Sequence, residues 1–241
     1  AEAASLGIDN LEHGLYVASD LAPVKEADQC PGLEGAERAQ LMDTENPAVS
    51  ALIDTLVEHD VAITSTLPVF AAGVHPAIPT AESLALLSPR SRAMAESRWV
   101  EYQERGEPGQ VELMQDLLAR EMAFEKAFVD AGGTLVVGTD PTGWGGTLPP
   151  NSTHAALQLL VEAGFSPLQV LYLATLGGAR FLGIDGETGS VERGKRADLV
   201  LVEGRPDEDI ASVRNVVLVF KEGVAYDPQA LVNSVRGKVG R

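Results

Sequence analysis

The sequence predicts an α/β fold: part of a β/α barrel, followed by part of a small β-sandwich module. Three observations lead there. Residues 134–137 are β-branched or aliphatic, lie between glycines, and run into Gly138-Thr139-Asp140-Pro141, so a strand carries a carboxylate to its carboxyl end. Strand-like and helix-like stretches alternate over residues 8–182. After residue 185, strands succeed one another with no helical pattern between them.

Residues 1–6 read as the end of a helix closed by Gly7, and residues 8–11 as a very short strand ending Glu12-His13-Gly14. Residues 15–47 are polar and rich in Pro and Gly, the composition of a loop. In residues 48–58, Val49, Leu52, Ile53, Leu56 and Val57 share one helical face. His59-Asp60 is a turn, and residues 61–66 form a strand of buried type. Residues 71–109 read as an insertion with short helices near 81–87 and 90–104. A long helix is expected over 110–130, with Val111, Met114, Leu117, Leu118, Met122 and Phe128 as its apolar set. After the strand at 134–138 come a glycine-rich loop, a helix at 152–163, and a helix opened by Ser166-Pro167 that runs to about Leu182. Val200, Val202, Val217 and Val219 alternate in the tail and are expected to face a buried interface. The domains are then 1–184, the barrel portion; 185–227, a partial β-sandwich module; and 228–241, a terminal tail with a short helix.

The chain has 241 residues, 45% of them hydrophobic, and a net charge of -17. So acidic a surface repels phosphate backbones and anionic bilayers, which argues against nucleic-acid or membrane partners and says little about a small substrate. The single cysteine, Cys30, excludes an internal disulfide. No apolar run reaches spanning length, so a soluble protein is expected, with the compartment undetermined between cytoplasm and periplasm. The opening Ala1-Glu2-Ala3-Ala4 has no Met and reads as helix interior, as if residue 1 were not the natural start.

Four histidines and one carboxylate carry the possible chemistry. His13 and Asp140 both stand at carboxyl ends of strands, where imidazole and carboxylate together suit a divalent metal such as zinc. Each also has a plainer reading, as a part-buried polar residue or a turn cap. His59 reads as a solvated turn residue. His75, in the loop after Phe70, could reach a pocket, and His154 could face a substrate or simply open its helix. Trp144 and Leu148 suggest an apolar wall, and Gly143, Gly145 and Gly146 a loop that moves over it.

Four motifs, in order, resemble one family. Gly7-Ile8-Asp9-Asn10-Leu11-Glu12-His13-Gly14 resembles the sixth-strand motif of the metal-dependent amidohydrolase superfamily, and Gly138-Thr139-Asp140 its eighth-strand motif. Leu160-Val161-Glu162-Ala163-Gly164-Phe165-Ser166-Pro167, with Ala174-Thr175, resembles the helices that follow. Gly189-Ser190-Val191 with Gly194-Lys195-Arg196-Ala197-Asp198-Leu199-Val200 resembles the return into the β-sandwich. The likeness is to the imidazolonepropionase-like and Xaa-Pro dipeptidase-like (prolidase-type) groups.

The resemblance implies strands 6–8 of a (β/α)8 TIM-type barrel that holds one or two divalent ions, zinc foremost, with a metal-bound hydroxide as nucleophile. It makes His13 and Asp140 metal ligands and Asp140 the general base; His154, Trp144 and His75 are expected near the substrate from the reading of the residues themselves. The reaction implied is hydrolysis of an amide or peptide C–N bond in a dipeptide, an N-acyl amino acid or a cyclic amide. The family's first-strand His-x-His pair, its fourth-strand carboxylated Lys or Glu and its fifth-strand His are absent from this sequence. Two ligands do not hold a catalytic zinc, which ordinarily has three. The chain alone is therefore expected to be inactive, a fragment or a subunit. The missing strands would come from upstream sequence, from a homo-oligomer or from a complementary chain. A binding module without metal is the further alternative, and it would need His13 and Asp140 apart or capped by protein groups.

Overall fold

The computed structural model describes residues 1–17, 21, 40–74, 81–104, 109–141, 147 and 151–240. Two three-stranded sheets organise them. In the first, β1 (Asn10–Glu12), β2 (Ala62–Ser65) and β3 (Leu135–Val137) lie side by side in that order and run parallel. Leu11, Ile63 and Leu135 form one row across it, and Glu12, Thr64 and Val136 the next. The expected order and direction are thus observed; β1 lies at Asn10–Glu12 rather than 8–11, and β2 and β3 are each two residues shorter than expected.

A single helical turn, α1 (Glu2–Ser5), precedes β1, and the longer helices pack on this sheet for the reasons their sequences give. In α2 (Pro47–Glu58) the Asn46 side chain accepts from Ala48 N–H, Pro47 opens the first turn, and Val49, Leu52, Ile53 and Leu56 are buried. The long helix occupies the expected residues, Gln110–Asp130 (α6). Its Phe124 and Phe128 are fully buried and stack at 6.3 Å in a cluster that also takes in Ile63, Leu135 and Leu160. Asn151–Glu162 (α7) follows the Asp140 loop.

Three departures have local causes. Leu67–Val74 is a helix (α3) directly after β2, a stretch with no pattern of its own that packs against α6. The insertion then continues as α4 (Ala81–Leu86) and α5 (Pro89–Glu104). The single helix expected from Pro167 is interrupted. α8 (Pro167–Tyr172) opens with a capping box of Ser166 and Gln169, then gives way to a π turn at Leu173–Gly177 before α9 (Gly178–Phe181). Thr175 Oγ1 there donates back to Leu171 O at 2.6 Å, and the adjacent Gly177-Gly178 pair gives the turn freedom to widen.

The tail folds as the antiparallel sheet β4 (Leu199–Val202), β5 (Val216–Lys221) and β6 (Val224–Tyr226). A 3-10 turn, Ile210–Arg214, corrects the reading of this region as helix-free. The expectation for its valines also fails in part. Val200 is 59% exposed and Val217 49%. The register passes from Leu201↔Leu218 to Val202↔Val216, which leaves Val217 as the extra residue of a bulge and breaks the alternation. Ile210 and Val213 join the same apolar cluster as β2 and α6, so the tail is anchored on the first sheet's core. α10 (Pro228–Val235) follows, and the chain then returns to α4: Gly237 and Val239 N–H donate to Ala85 and Leu86 carbonyls, and Val239 bridges Leu87. Among the described residues no helix is long and apolar enough to cross a membrane.

Candidate active site

The site is built where β1 and β3 end. Gly138 N–H donates to Ser65 O at 2.9 Å, tying the end of β3 to β2. A Cβ on Gly138 would stand 2.5 Å from Thr64 Cγ2 and 3.1 Å from Ser65 O, so only glycine allows this approach. Two residues on, Asp140 holds φ 39°, and its carbonyl accepts from buried Thr147 Oγ1 at 2.8 Å.

At the end of β1, His13 holds φ 65° and Gly14 φ 48°. Non-glycine residues in this left-handed region cost about 1–3 kcal/mol each and persist only where their surroundings over-determine them. The turn redirects His13. Strand alternation would put it on the side of Leu11, which packs against the core cluster, whereas its Nδ1 meets Thr66 Oγ1 at 2.8 Å. In the tautomer where Nδ1–H donates to Thr66, the Nε2 lone pair is free. It lies 3.6 Å from Asp140 Oδ2. The edge of Phe70 on α3 covers the imidazole, with ring centroids 6.4 Å apart and planes at 88°. Both side chains keep about a third of their surface open, 33% for His13 and 36% for Asp140. One strand row below, Asn10 Nδ2 donates to Thr64 Oγ1 and to Glu12 Oε1, each at 2.9 Å.

Behind this surface α6 contributes two carboxyls. Glu121, 1% exposed, accepts from Leu15 N–H at 2.9 Å, and its Oε1 occupies the space a Cβ on Gly14 would need. Glu125, equally buried, faces Ser65. Burial, offset in part by the nearby Ser65 hydroxyl, raises its carboxyl to about 8. Neither Ser65 Oγ nor Glu125 Oε2 completes a hydrogen bond among the described residues.

The expected site residues therefore divide. His13 and Asp140 are brought together. His154 is half-buried on α7, where burial and then the Arg214 guanidinium on the 3-10 turn push its imidazole pKa down. No hydrogen bond or ion pair joins it to His13 or Asp140 among the described residues. His59 is an exposed turn residue whose Nδ1 meets Thr55 O at 2.9 Å, as expected. His75, Trp144, Leu148 and the glycines of that loop lie outside the described residues. Thr66, Phe70, Glu121 and Glu125 belong to the site's surroundings and were not anticipated. Two glutamates one turn apart on an otherwise apolar helical face were the available signal for the last pair.

A separation of 3.6 Å exceeds a hydrogen bond and is near the roughly 3.4 Å between two ligands of one tetrahedral ion with bonds of about 2.0–2.1 Å. A partner on Nδ1, such as Thr66 Oγ1 provides at 2.8 Å, is what would orient an imidazole toward a metal. The pair thus fits two corners of a metal site. Among the described residues no group of three His, Cys, Asp or Glu completes one.

Known proteins share this arrangement of elements. Residues 41–226 match the family model of the amidohydrolase family. A probable guanine deaminase of Deinococcus radiodurans is 41% identical over 88 residues, which are 34% of this chain and 20% of that protein. A solved bottromycin amidohydrolase superposes with a TM-score of 0.61 at 22% identity, over 84% of this chain and 44% of that one. A Xaa-Pro dipeptidase with bound methionine in its active site gives 0.55 at 22% identity, over 93% of this chain and 41% of that one. The chain thus spans less than half the length of either solved structure, and at these identities the likeness is one of fold. The family match extends over most of the sequence, and the chain belongs to the amidohydrolase family.

Proposed function

We propose that this chain supplies strands 6–8 of a (β/α)8 barrel, with part of its β-sandwich, to a metal-dependent hydrolase of amide or peptide C–N bonds. The observation that supports it most is the convergence of His13 Nε2 and Asp140 Oδ2 at 3.6 Å at the carboxyl ends of parallel strands, where β/α barrels keep their chemistry. Family membership and the prolidase-like fold neighbours point the same way.

In this reading His13 and Asp140 hold the ion, zinc foremost, with the remaining ligands outside this sequence. The chemistry such an ion supplies is acidification of water and polarisation of a carbonyl. Asp140 takes the proton from the attacking water on its carboxylate and hands it to the leaving amine. Thr66 fixes the His13 ring, and Phe70 shields it from water on one side. His154 would then contact the substrate, a small molecule such as a dipeptide, N-acyl amino acid or cyclic amide. Loss of His154 should then change KM more than kcat.

A second reading, that the chain by itself is non-catalytic, is favoured by the absence, among the described residues, of a third metal-binding side chain beside His13 and Asp140. Both are tested by comparing this chain with the complete protein, or with a complementary chain that restores the barrel, on a panel of those three substrate classes. Turnover in the complete protein alone, lost to a chelator and restored by zinc, is expected. A folded, complete protein that hydrolyses none of them, or does so after metal removal, overturns the reading.

A further inference from the structure

We propose that Glu121 is a positioning residue for His13, acting through the backbone two residues beyond it; the functional weight of this rests on the reading of His13 as a metal ligand. Glu121 stands on α6, in a face shared with Phe124 and Phe128, where a carboxylate has no place on grounds of packing. What it reaches is the turn after β1: its Oε1 accepts from Leu15 N–H at 2.9 Å. The same oxygen fills the volume beside Gly14, where a Cβ would collide with it. His13 and Gly14 immediately before are both left-handed, at φ 65° and 48°.

These facts form one device. A left-handed histidine relaxes unless it is held on both sides. On the side-chain side His13 is held by Thr66 Oγ1 at 2.8 Å. On the chain side the Leu15 N–H is fixed by the buried Glu121 side chain, whose Oε1 accepts from it at 2.9 Å. Gly14 provides the room that lets the acceptor come close. Without Glu121 the turn loosens, Nδ1 leaves Thr66, and Nε2 is no longer directed at Asp140.

The ring tautomer of His13 reports this without metal or substrate. Long-range 1H–15N spectra of this chain, with the His13 signals assigned by their loss in His13→Gln, should show the Nδ1–H form alone. Glu121→Gln keeps an oxygen acceptor and should keep that pattern. Glu121→Leu should give a mixture of tautomers, with the Nε2–H form raised several-fold. Gly14→Ala, which displaces the carboxylate and also puts a side chain on a left-handed residue of the same turn, should do the same. A Glu121→Leu chain with wild-type circular dichroism and an unchanged His13 pattern overturns the proposal, even if its Tm has fallen, since a purely structural role would lower Tm and leave the ring alone. Should that variant fail to fold, Gly14→Ala decides, and an unchanged pattern there has the same force. A scrambled pattern in Glu121→Gln contradicts the acceptor account. Failure here leaves the hydrolase reading standing, and a complete protein without hydrolase activity leaves this result standing.

Discussion

His13 and Asp140 face each other at 3.6 Å, imidazole Nε2 to carboxylate Oδ2, and each holds a backbone φ that side chains other than glycine rarely adopt. The two are separated by more than a hundred residues and by a whole strand of the sheet. Strain at both ends of one short contact is a feature of sites in which geometry is held for a purpose. Thr66, Thr147 and Glu121 are the groups that hold it, by hydrogen bonds of 2.8 to 2.9 Å.

Glu125 should make stability depend on pH. Its carboxyl is raised from 4.5 to about 8, chiefly by burial. Below about pH 4.5 it is protonated in the folded and the unfolded chain alike, and its contribution to stability is complete. As pH rises through the window to about 8, the unfolded chain releases a proton that the folded chain keeps, so stability falls, by at most about 1.4 kcal/mol per pH unit. Glu125→Gln is neutral throughout. Its urea midpoint should vary less across that window and exceed that of the wild type at pH 8. Equal pH slopes for the two chains would contradict the burial argument.

His154 titrates below an ordinary histidine because it is part-buried, with Arg214 adding repulsion. Arg214→Ala should raise its pKa partway, leaving the contribution of burial in place. A titration of the His154 ring by NMR checks this. An unchanged midpoint would mean that Arg214 does not face it in solution.

The tail sheet leaves Val200, Leu201 and Val217 open. Such aliphatic strands at the end of a three-stranded sheet invite pairing with another copy or with the rest of a sandwich. Sedimentation velocity should show concentration-dependent association of this chain, reduced in Leu201→Thr combined with Val217→Thr. A wild-type chain that stays monomeric at every concentration would contradict it.

Much of the fold was legible in the sequence, for identifiable reasons. The run ending at Ser65 is a mostly buried strand and the run ending at Val137 a strand with Leu135 buried and its two valines part-buried, both with clear glycine or polar boundaries, and the helix at Gln110–Asp130 has long apolar periodicity. His13 and Asp140 were legible from their place at strand ends. Their aim was not, because it depends on two left-handed residues and on Thr66, which no period or motif encodes. The exposure of Val217 was hidden for a similar reason: a bulge shifts the register by one residue, and alternation read along a single strand does not see its partner. The π turn at Leu173–Gly177 arises from a hydroxyl bonding back into its own helix, a choice that helical pattern leaves open.

The central claim is that Asp140 carries the proton and, with His13, the metal. It is tested most directly by metal stoichiometry measured beside kcat, in the complete enzyme, for Asp140→Asn and His13→Ala. Asp140→Asn should lower kcat by about 10²–10⁴-fold, the usual worth of a general base, and by more if metal is also lost. His13→Ala should lose metal first and activity in proportion. An Asp140→Asn enzyme that binds its full complement of metal and turns over at a near-normal rate would contradict the account.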